Sequence, residues 1–490
     1  MAVEYVIGLD IGTTSVKAVV FHLNGKVAAE TEELNTSYYP HPDWVEQDPD
    51  ELADSAVLAI KSVIQKAGIL PSQIAGVGFS SAMHSIICMD ENGKPLSRAI
   101  IWADGRSSTQ AEELKNTNGF GIYSRTGTPI HPMSPFVKLK WMNETDYEPY
   151  QKASYFLSAK EYVILKWYGK RIVDYAMASA TGMFNGETLG WDEEALKTVN
   201  VKKEQLSELV PPTEILTGMD PAVAEKMGIP ADLPFVMGAA DGQLANLGSG
   251  AILPGEVAVT VGTSGAVRQW ANGFQVNEKH ETFCYMFTDS TSIVGGATNN
   301  GGIVMEWLKK LINYEGGYSE FTAEAAKVEP GAEGLLFLPY INGERAPLWN
   351  QQARGNFFGL SITHRQEHLI RAALEGITFN LYQISEALER LAGESKKIYV
   401  NGGLSQSPIW LQMMADVFGK EIYVSESHHS AAWGAAWVAL VALGKAQSFE
   451  DIKQNIPMGA VTKPNAEAHS AYQKVYEKYS RLVNDLSKHF

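Results

Sequence analysis

Tyr5-Val6-Ile7-Gly8-Leu9-Asp10-Ile11-Gly12-Thr13-Thr14-Ser15 is matched far downstream by Val257-Ala258-Val259-Thr260-Val261-Gly262-Thr263-Ser264-Gly265. Each stretch reads as a buried strand, a glycine turn carrying hydroxyls, and a second strand. The second strand covers residues 16–21 in the first case and 266–270 in the second. Glycine lets backbone amides approach an anion closely, and Thr or Ser adds further donors. A chain that builds this device once in each half is expected to form two related domains around one polyphosphate.

The two copies differ where it matters. Asp10 ends the first strand, and Thr260 holds the equivalent place in the second. A charge at the end of a buried strand is costly unless it is paired or near a metal. A magnesium ion on nucleotide phosphates suits Asp10. Neither turn has the Gly-x-x-x-x-Gly-Lys-Ser/Thr spacing of a P-loop, and neither has the Gly-x-Gly-x-x-Gly of a dinucleotide fold.

The bulk numbers bound the answer. A chain of 490 residues exceeds one ordinary core, so two or three domains are expected. With 45% hydrophobic and 20% charged residues, the composition is globular. The net charge of −16 argues against a nucleic-acid or anionic-membrane partner, though not against phosphate, which needs only local donors. Cys88 and Cys284 lie in apolar stretches and read as small buried hydrophobes. The start of the chain lacks a basic signal region, and the near-apolar residues 431–443 are too few to span a bilayer. The cytoplasm is the expected location.

Outward from the turns, Asn24-Gly25 and Asn92-Gly93 mark hairpins. Asp48 can cap a helix that starts at Pro49 and whose apolar face is Leu52, Ala56, Ala59, Ile60, Val63 and Ile64. Residues 74–79 read as a buried strand. The second half restarts the order, with Asn272-Gly273 breaking the chain as Asn24-Gly25 does, a long helix over 368–391 and a strand over 397–400. The fold class is therefore α/β with mixed sheets, and the seam is expected within residues 247–255.

Several strand ends carry polar groups, where ligands sit in open α/β sheets. Asn401-Gly402-Gly403 follows a strand and suits a flat ring or ribose, or is an ordinary strand-to-helix turn. Gly301 and Gly302 precede a helix over 303–311 and suggest an exposed helix N-terminus. Asp241, between small residues, reads equally as a general base or as a helix cap. Ser80-Ser81-Ala82-Met83-His84 and Trp102-Ala103-Asp104-Gly105-Arg106 follow successive strands. His131, between Pro129 and Pro132, is expected on an exposed loop by default.

Over nearly its whole length the chain resembles the FGGY carbohydrate kinases. The resemblance rests on Met133-Ser134-Pro135-Phe136-Val137-Lys138-Leu139-Lys140-Trp141-Met142, on Gly355-Asn356-Phe357-Phe358-Gly359-Leu360 with 368–375, and on Asn342-Gly343-Glu344-Arg345-Ala346-Pro347 and Ala432-Trp433-Gly434-Ala435-Ala436. It implies two actin-like (ribonuclease-H-like) domains flanking a deep catalytic cleft, here divided as residues 1–250 and 251–490. It implies Asp241 as catalytic base. ATP would meet Thr13, Thr14, Gly262, Thr263, Ser264 and Gly302 at its phosphates, and Gly402 and Gly403 at its adenosine. Asp10 and Asp241 would flank magnesium. Ser81, Met83, His84, Trp102, Asp104, Arg106 and His131 would join Asp241 around the substrate.

Met83-His84 stands where glycerol kinases carry Arg-Glu, which disfavours glycerol. Ser-Ala-Met-His at 81–84, with Arg125 to Pro135, looks like the gluconate kinase branch. The expected reaction is ATP-dependent phosphorylation of D-gluconate to 6-phospho-D-gluconate, with xylulose as the rival substrate. His84, Arg106, His131 and Arg345 are the candidate partners of a substrate carboxylate. The expected partners are the sugar acid and ATP, with no nucleic acid and no membrane; a homodimer is an admissible assembly. An actin-like ATPase and a sugar-sensing regulator are the rivals from other classes. Asp241 disfavours the first, and the acidic charge without a basic DNA-binding element disfavours the second.

Overall fold

The structure is a computed structural model describing residues 3–425 and 428–490. Its two large sheets repeat one plan. In the first, β1 (Tyr5–Ile11), β2 (Ser15–His22) and β3 (Val27–Leu34) form an antiparallel meander. A helix, α1 (Pro49–Ala67), then crosses to β4 (Ile74–Ser81), which runs parallel to β1. A short β5 (Ile215–Leu216) and the long β6 (Phe235–Ala240) complete the order β5-β6-β4-β1-β2-β3. The second sheet uses β7 (Glu256–Val261), β8 (Gly265–Asn272), β9 (Phe283–Met286) and β10 (Thr291–Thr298). The helices α2 (Asp241–Ser249), α3 (Gly302–Leu311) and α4 (Gln366–Ala392) pack around them. The strands β11 (Lys397–Gly402) and β12 (Ile422–Ser425), the helix α5 (Ser430–Ala442) and the strand β13 (Met458–Thr462) follow, and the order is β9-β10-β8-β7-β11-β12-β13.

In both sheets a three-strand meander is followed by two parallel strands and an antiparallel edge. The second sheet adds only β9. Register confirms the repeat at residue level. Asp10 lies beside Lys17 and Ser80, and Thr260 lies beside Ala266 and Asn401.

Local chemistry explains the elements. Asp48 accepts from the amides of Asp50 and Glu51, Pro49 starts α1, and Gly68 ends it in the left-handed conformation. β1 is apolar on both faces because both are covered. Ile7 and Leu9 pack with Ala56, Ile60 and Val63 of α1. Val6, with Val19 and Phe21 of β2, packs with Ala432, Trp433 and Ala436 of α5.

That second packing is unexpected from the sequence order. α5 comes from the C-terminal part of the chain yet lies on the N-terminal sheet, crossing α2. Ile452 and Ile456 join the same core. Along the sequence the first sheet ends with β6 at Ala240 and the second begins with β7 at Glu256, while residues near 430–456 contribute to the first lobe's core. The approach is close: a Cβ on Gly8 would lie 2.0 Å from the Ala432 carbonyl oxygen. Among the described residues, no helix is long and apolar enough to cross a membrane. Cys88 and Cys284 are both buried and unpaired with one another.

Candidate active site

The first turn is held from behind. The Asn35 side-chain amide donates to the Gly12 carbonyl at 2.8 Å, Gln47 donates to that of Thr13 at 2.6 Å, and the Asn35 backbone amide donates to that of Thr14 at 2.9 Å. With those carbonyls occupied, the turn offers a ligand its amides and hydroxyls. The Thr13 hydroxyl accepts from the Trp102 indole N–H at 2.9 Å, which leaves its own proton to donate. Trp102→Phe removes that donor. The expected result is a KM for ATP raised about 5-fold in steady-state kinetics, the scale of one neutral hydrogen bond; an unchanged KM would detach Trp102 from the turn.

The second turn closes one residue tighter: Gly12 N–H donates to Ser15 O at 3.0 Å, whereas Gly262 N–H donates to Ser264 O at 2.9 Å. Its outward carbonyls, however, cap α3. Gly302 N–H donates to Gly262 O at 2.8 Å and Ile303 N–H to Thr263 O at 3.1 Å. The helix N-terminus expected to be exposed is therefore satisfied by the turn, and Gly302 contributes through its position beside it.

Two cavities meet at this turn. One, of about 300 Å³, is bounded by Thr13, Met83, His84, Trp102, Asp241 and Gly262. The other, of about 410 Å³, reaches from Gly262, Thr263 and Gly302 to Gly403, Leu404 and Trp410. Gly262 belongs to both. The arrangement suits a nucleotide whose base lies in the larger space and whose phosphates cross Gly262. Gly402 acts differently from Gly403: its φ is +83°, and a Cβ there would lie 2.6 Å from the Val261 carbonyl oxygen, so it brings the loop against the phosphate strand.

Asp241 is the first residue of α2, with Ala240 at the cap position, so it is no helix cap. Its carboxylate accepts from Gly242 N–H at 2.7 Å and lines the smaller cavity. Burial, then the charge of Asp10, pushes its pKa up to about 6, against the opposing pull of Arg268. Burial also raises Asp10, whose carboxylate accepts from the Ser80 hydroxyl at 2.7 Å.

At the other end, His84 Nδ1 donates to Ala180 O at 2.7 Å. Burial holds this imidazole down to about 3, so it is neutral and its Nε2 is an acceptor. His131 is the opposite case. It is buried, 6% exposed, which corrects the expectation of an exposed loop. Its Nδ1 accepts from Met133 N–H at 3.1 Å, so Nε2, which has no partner, carries the proton. Lys138, fully buried, donates to the carbonyls of His84 and Met133, tying together two cavity-lining segments. Burial pushes its ammonium down to about 7.

Ser81 is fully buried beside Ala82 and Thr13, in a small pocket behind the main cavity. Asp104 and Arg106 are not brought to the cavity. Arg106 donates Nε to Asp104 Oδ1 at 2.8 Å and Nη2 to Asp104 Oδ2 at 2.7 Å, and Nη2 also reaches Glu46 at 2.7 Å. Its guanidinium lies 3.9 Å from the Trp44 ring. The two side chains pair with one another and so brace the Trp102 loop.

The sequence reading missed Arg268 and Tyr285, which line the cavity. Arg268 had a visible signal: a lone cation inside the otherwise uncharged, mostly apolar stretch 265–271. Arg345, quoted only as a carboxylate candidate, lines it too, 5.4 Å from the Trp102 ring.

Comparison with known proteins points to one family. Residues 5–248 match the model of the FGGY family of carbohydrate kinases, N-terminal domain, and residues 257–443 match the C-terminal domain. A gluconokinase of Bacillus licheniformis is 42% identical over 99% of this chain and 97% of its own. A xylulose kinase of Staphylococcus epidermidis is 29% identical over 98% and 97%. Two Lactobacillus acidophilus structures, one described as a ligand-bound xylulose kinase and one as a gluconate kinase, each align with TM-score 0.95 and 34% identity over 99% of this chain and 98% of theirs. With two related lobes, a shared turn at the junction of two cavities and both family domains matched in order, this chain belongs to the FGGY family of carbohydrate kinases.

Proposed function

We propose that the protein phosphorylates D-gluconate to 6-phospho-D-gluconate, using ATP. The observation that carries the choice of substrate is the 42% identity, over almost the whole chain, to a gluconokinase, against 29% to a xylulose kinase. D-xylulose is the second reading, because the equally similar Lactobacillus acidophilus structures carry both descriptions.

The residues support direct transfer. Asp241 accepts the proton of the substrate's terminal hydroxyl, and that oxygen attacks the γ-phosphorus. The amides and hydroxyls of the two turns donate to the phosphate oxygens. His84, on the cavity wall, accepts from a substrate hydroxyl through Nε2. Closure of the lobes excludes water, which would otherwise take the phosphoryl group.

Asp10 and Asp241 repel one another across the cleft, and a divalent cation relieves that repulsion. Among the described residues there is no group of three or more His, Cys, Asp or Glu placed to hold a metal. Magnesium would therefore rest on these two carboxylates, water and the nucleotide's own oxygens. When bound, it neutralises charge on the phosphates. Two unpaired thiols suit a reducing cytoplasm.

The test is a coupled assay with MgATP. Expected is a kcat/KM for D-gluconate at least about 10-fold above that for D-xylulose, the scale on which a charged hydrogen-bonded group discriminates. An equal or higher value for D-xylulose would replace gluconate by the second reading.

A further inference from the structure

Two guanidiniums, those of Arg268 and Arg345, line the smaller cavity, and among the described residues neither forms an ion pair with a carboxylate. Arg268 Nη1 donates to the Thr260 hydroxyl at 3.4 Å, and Arg345 Nη2 donates to the Thr298 carbonyl at 3.1 Å. Among the described residues, the Nε of each is buried without a partner, and the Tyr285 hydroxyl lines the same space. Arg106, Arg125, Arg371 and Arg390, by contrast, all contact carboxylates. The difference is a matter of place: those four hold structure, and these two are aimed into the cleft.

Their positions are built. Arg268 leaves β8 where it pairs with Ala258 and Gly295, and it reaches over α2, with Nε 2.9 Å from where a Cβ on Gly242 would be. Arg345 follows Glu344, a fully buried carboxylate. That carboxylate accepts from Thr298 Oγ1 at 2.7 Å, from Asn380 Nδ2 at 2.9 Å and from the Arg345 amide at 2.7 Å. The loop carrying Arg345 is thus fixed before any ligand arrives.

The arrangement is electrostatically incomplete. Burial, and then the neighbouring Arg268 charge against the pull of Glu344, holds Arg345 down to about 10. Asp241 faces Arg268, but as the base it must remain free to take a proton. Buried charges are retained where they are paired, so the partner comes with the ligand. A neutral sugar brings none.

We propose that Arg268 and Arg345, with the Tyr285 hydroxyl, form an oxyanion seat for the substrate's carboxylate, and that this seat selects sugar acids over neutral sugars and polyols. Planar guanidiniums match a carboxylate by paired N–H donors, and a site built around them is left with orphaned donors when an uncharged analogue enters. The proposal rests on the gluconate reading and names the groups that read its charge. The same oxyanion chemistry could be supplied by the γ-phosphate of ATP, and the test separates the two sources.

Affinities of the wild type, of Arg268→Met and Arg345→Met, and of Arg268→Lys and Arg345→Lys are measured by calorimetry. The ligands are D-gluconate, D-glucitol (the same chain with a hydroxymethyl group in place of the carboxylate) and a non-hydrolysable ATP analogue. Expected is a preference for gluconate over glucitol that falls by about 30-fold or more in each Met variant, with the Lys variants in between. An unchanged preference overturns the seat. So does a loss confined to the ATP analogue, which assigns the oxyanion to the nucleotide. The Lys variants keep the charge, so they still report if a Met variant fails to fold. Wild-type turnover keeps the two ideas apart: no phosphorylation of gluconate overturns the substrate reading, and turnover with unaltered preference in the variants overturns the seat alone.

Discussion

Asp241→Asn is expected to lower kcat by about 1000-fold while ATP still binds, the range measured when a positioned general base is removed. The substitution keeps size and keeps an acceptor for the Gly242 amide, so α2 should start unchanged. What it removes is the group proposed to take the proton. A carboxyl held at about 6 is mostly ionised at pH 7, yet basic enough to accept a proton in the transition state. Its neighbours explain that value: burial and Asp10 raise it, and Arg268 limits the rise. Single-turnover kinetics, with nucleotide affinity measured alongside, give the check. Near-normal transfer in Asp241→Asn would remove Asp241 as the base, and lost nucleotide affinity would make it a structural residue instead.

Gly434→Val is expected to destabilise the protein by about 3 kcal/mol or more, the upper range for forcing atoms into a packed interior. α5 crosses α2 at this glycine, where a Cβ would lie 2.1 Å from the Leu244 carbonyl oxygen. That neighbour is helix backbone and cannot rotate away. The opposite side of α5 is equally tight, against Gly8 of β1, so the helix cannot retreat. Displacing α2 also moves its first residue, Asp241, so activity should fall in the protein that survives. Thermal melting followed by fluorescence should show a midpoint lowered by several degrees. An unshifted midpoint would mean that the two helices do not cross so closely.

The sequence already contained the repeat, because the strand, glycine turn and hydroxyls recur in both halves, although one copy alone is most often just a turn. Asp48, Pro49 and the apolar face that follows likewise specified α1, since capping and periodicity are local. The placement of α5 on the first sheet was illegible: its apolar composition says that it is buried, but not against which partner. Asp104 and Arg106 show the same limit in the site. Two residues apart on a loop, they look like ligand donors, and only the fold reveals that they pair with each other and with Glu46. His131 misled for the opposite reason, since flanking prolines suggest a surface loop while the ring is packed beside Trp349. Arg268 was overlooked although a cation in an apolar strand is expensive and calls for a ligand.

The central claim is that two turns, Gly12-Thr13-Thr14 and Gly262-Thr263-Ser264, hold one ATP while Asp241 directs its terminal phosphoryl group to the hydroxyl of a sugar acid. Phosphorus NMR of the protein with MgATP and D-gluconate tests this most directly. The account predicts one phosphomonoester, on the terminal carbon of gluconate, for each ADP formed. Release of inorganic phosphate without a sugar phosphate, or phosphorylation of D-xylulose with gluconate left untouched, would contradict it.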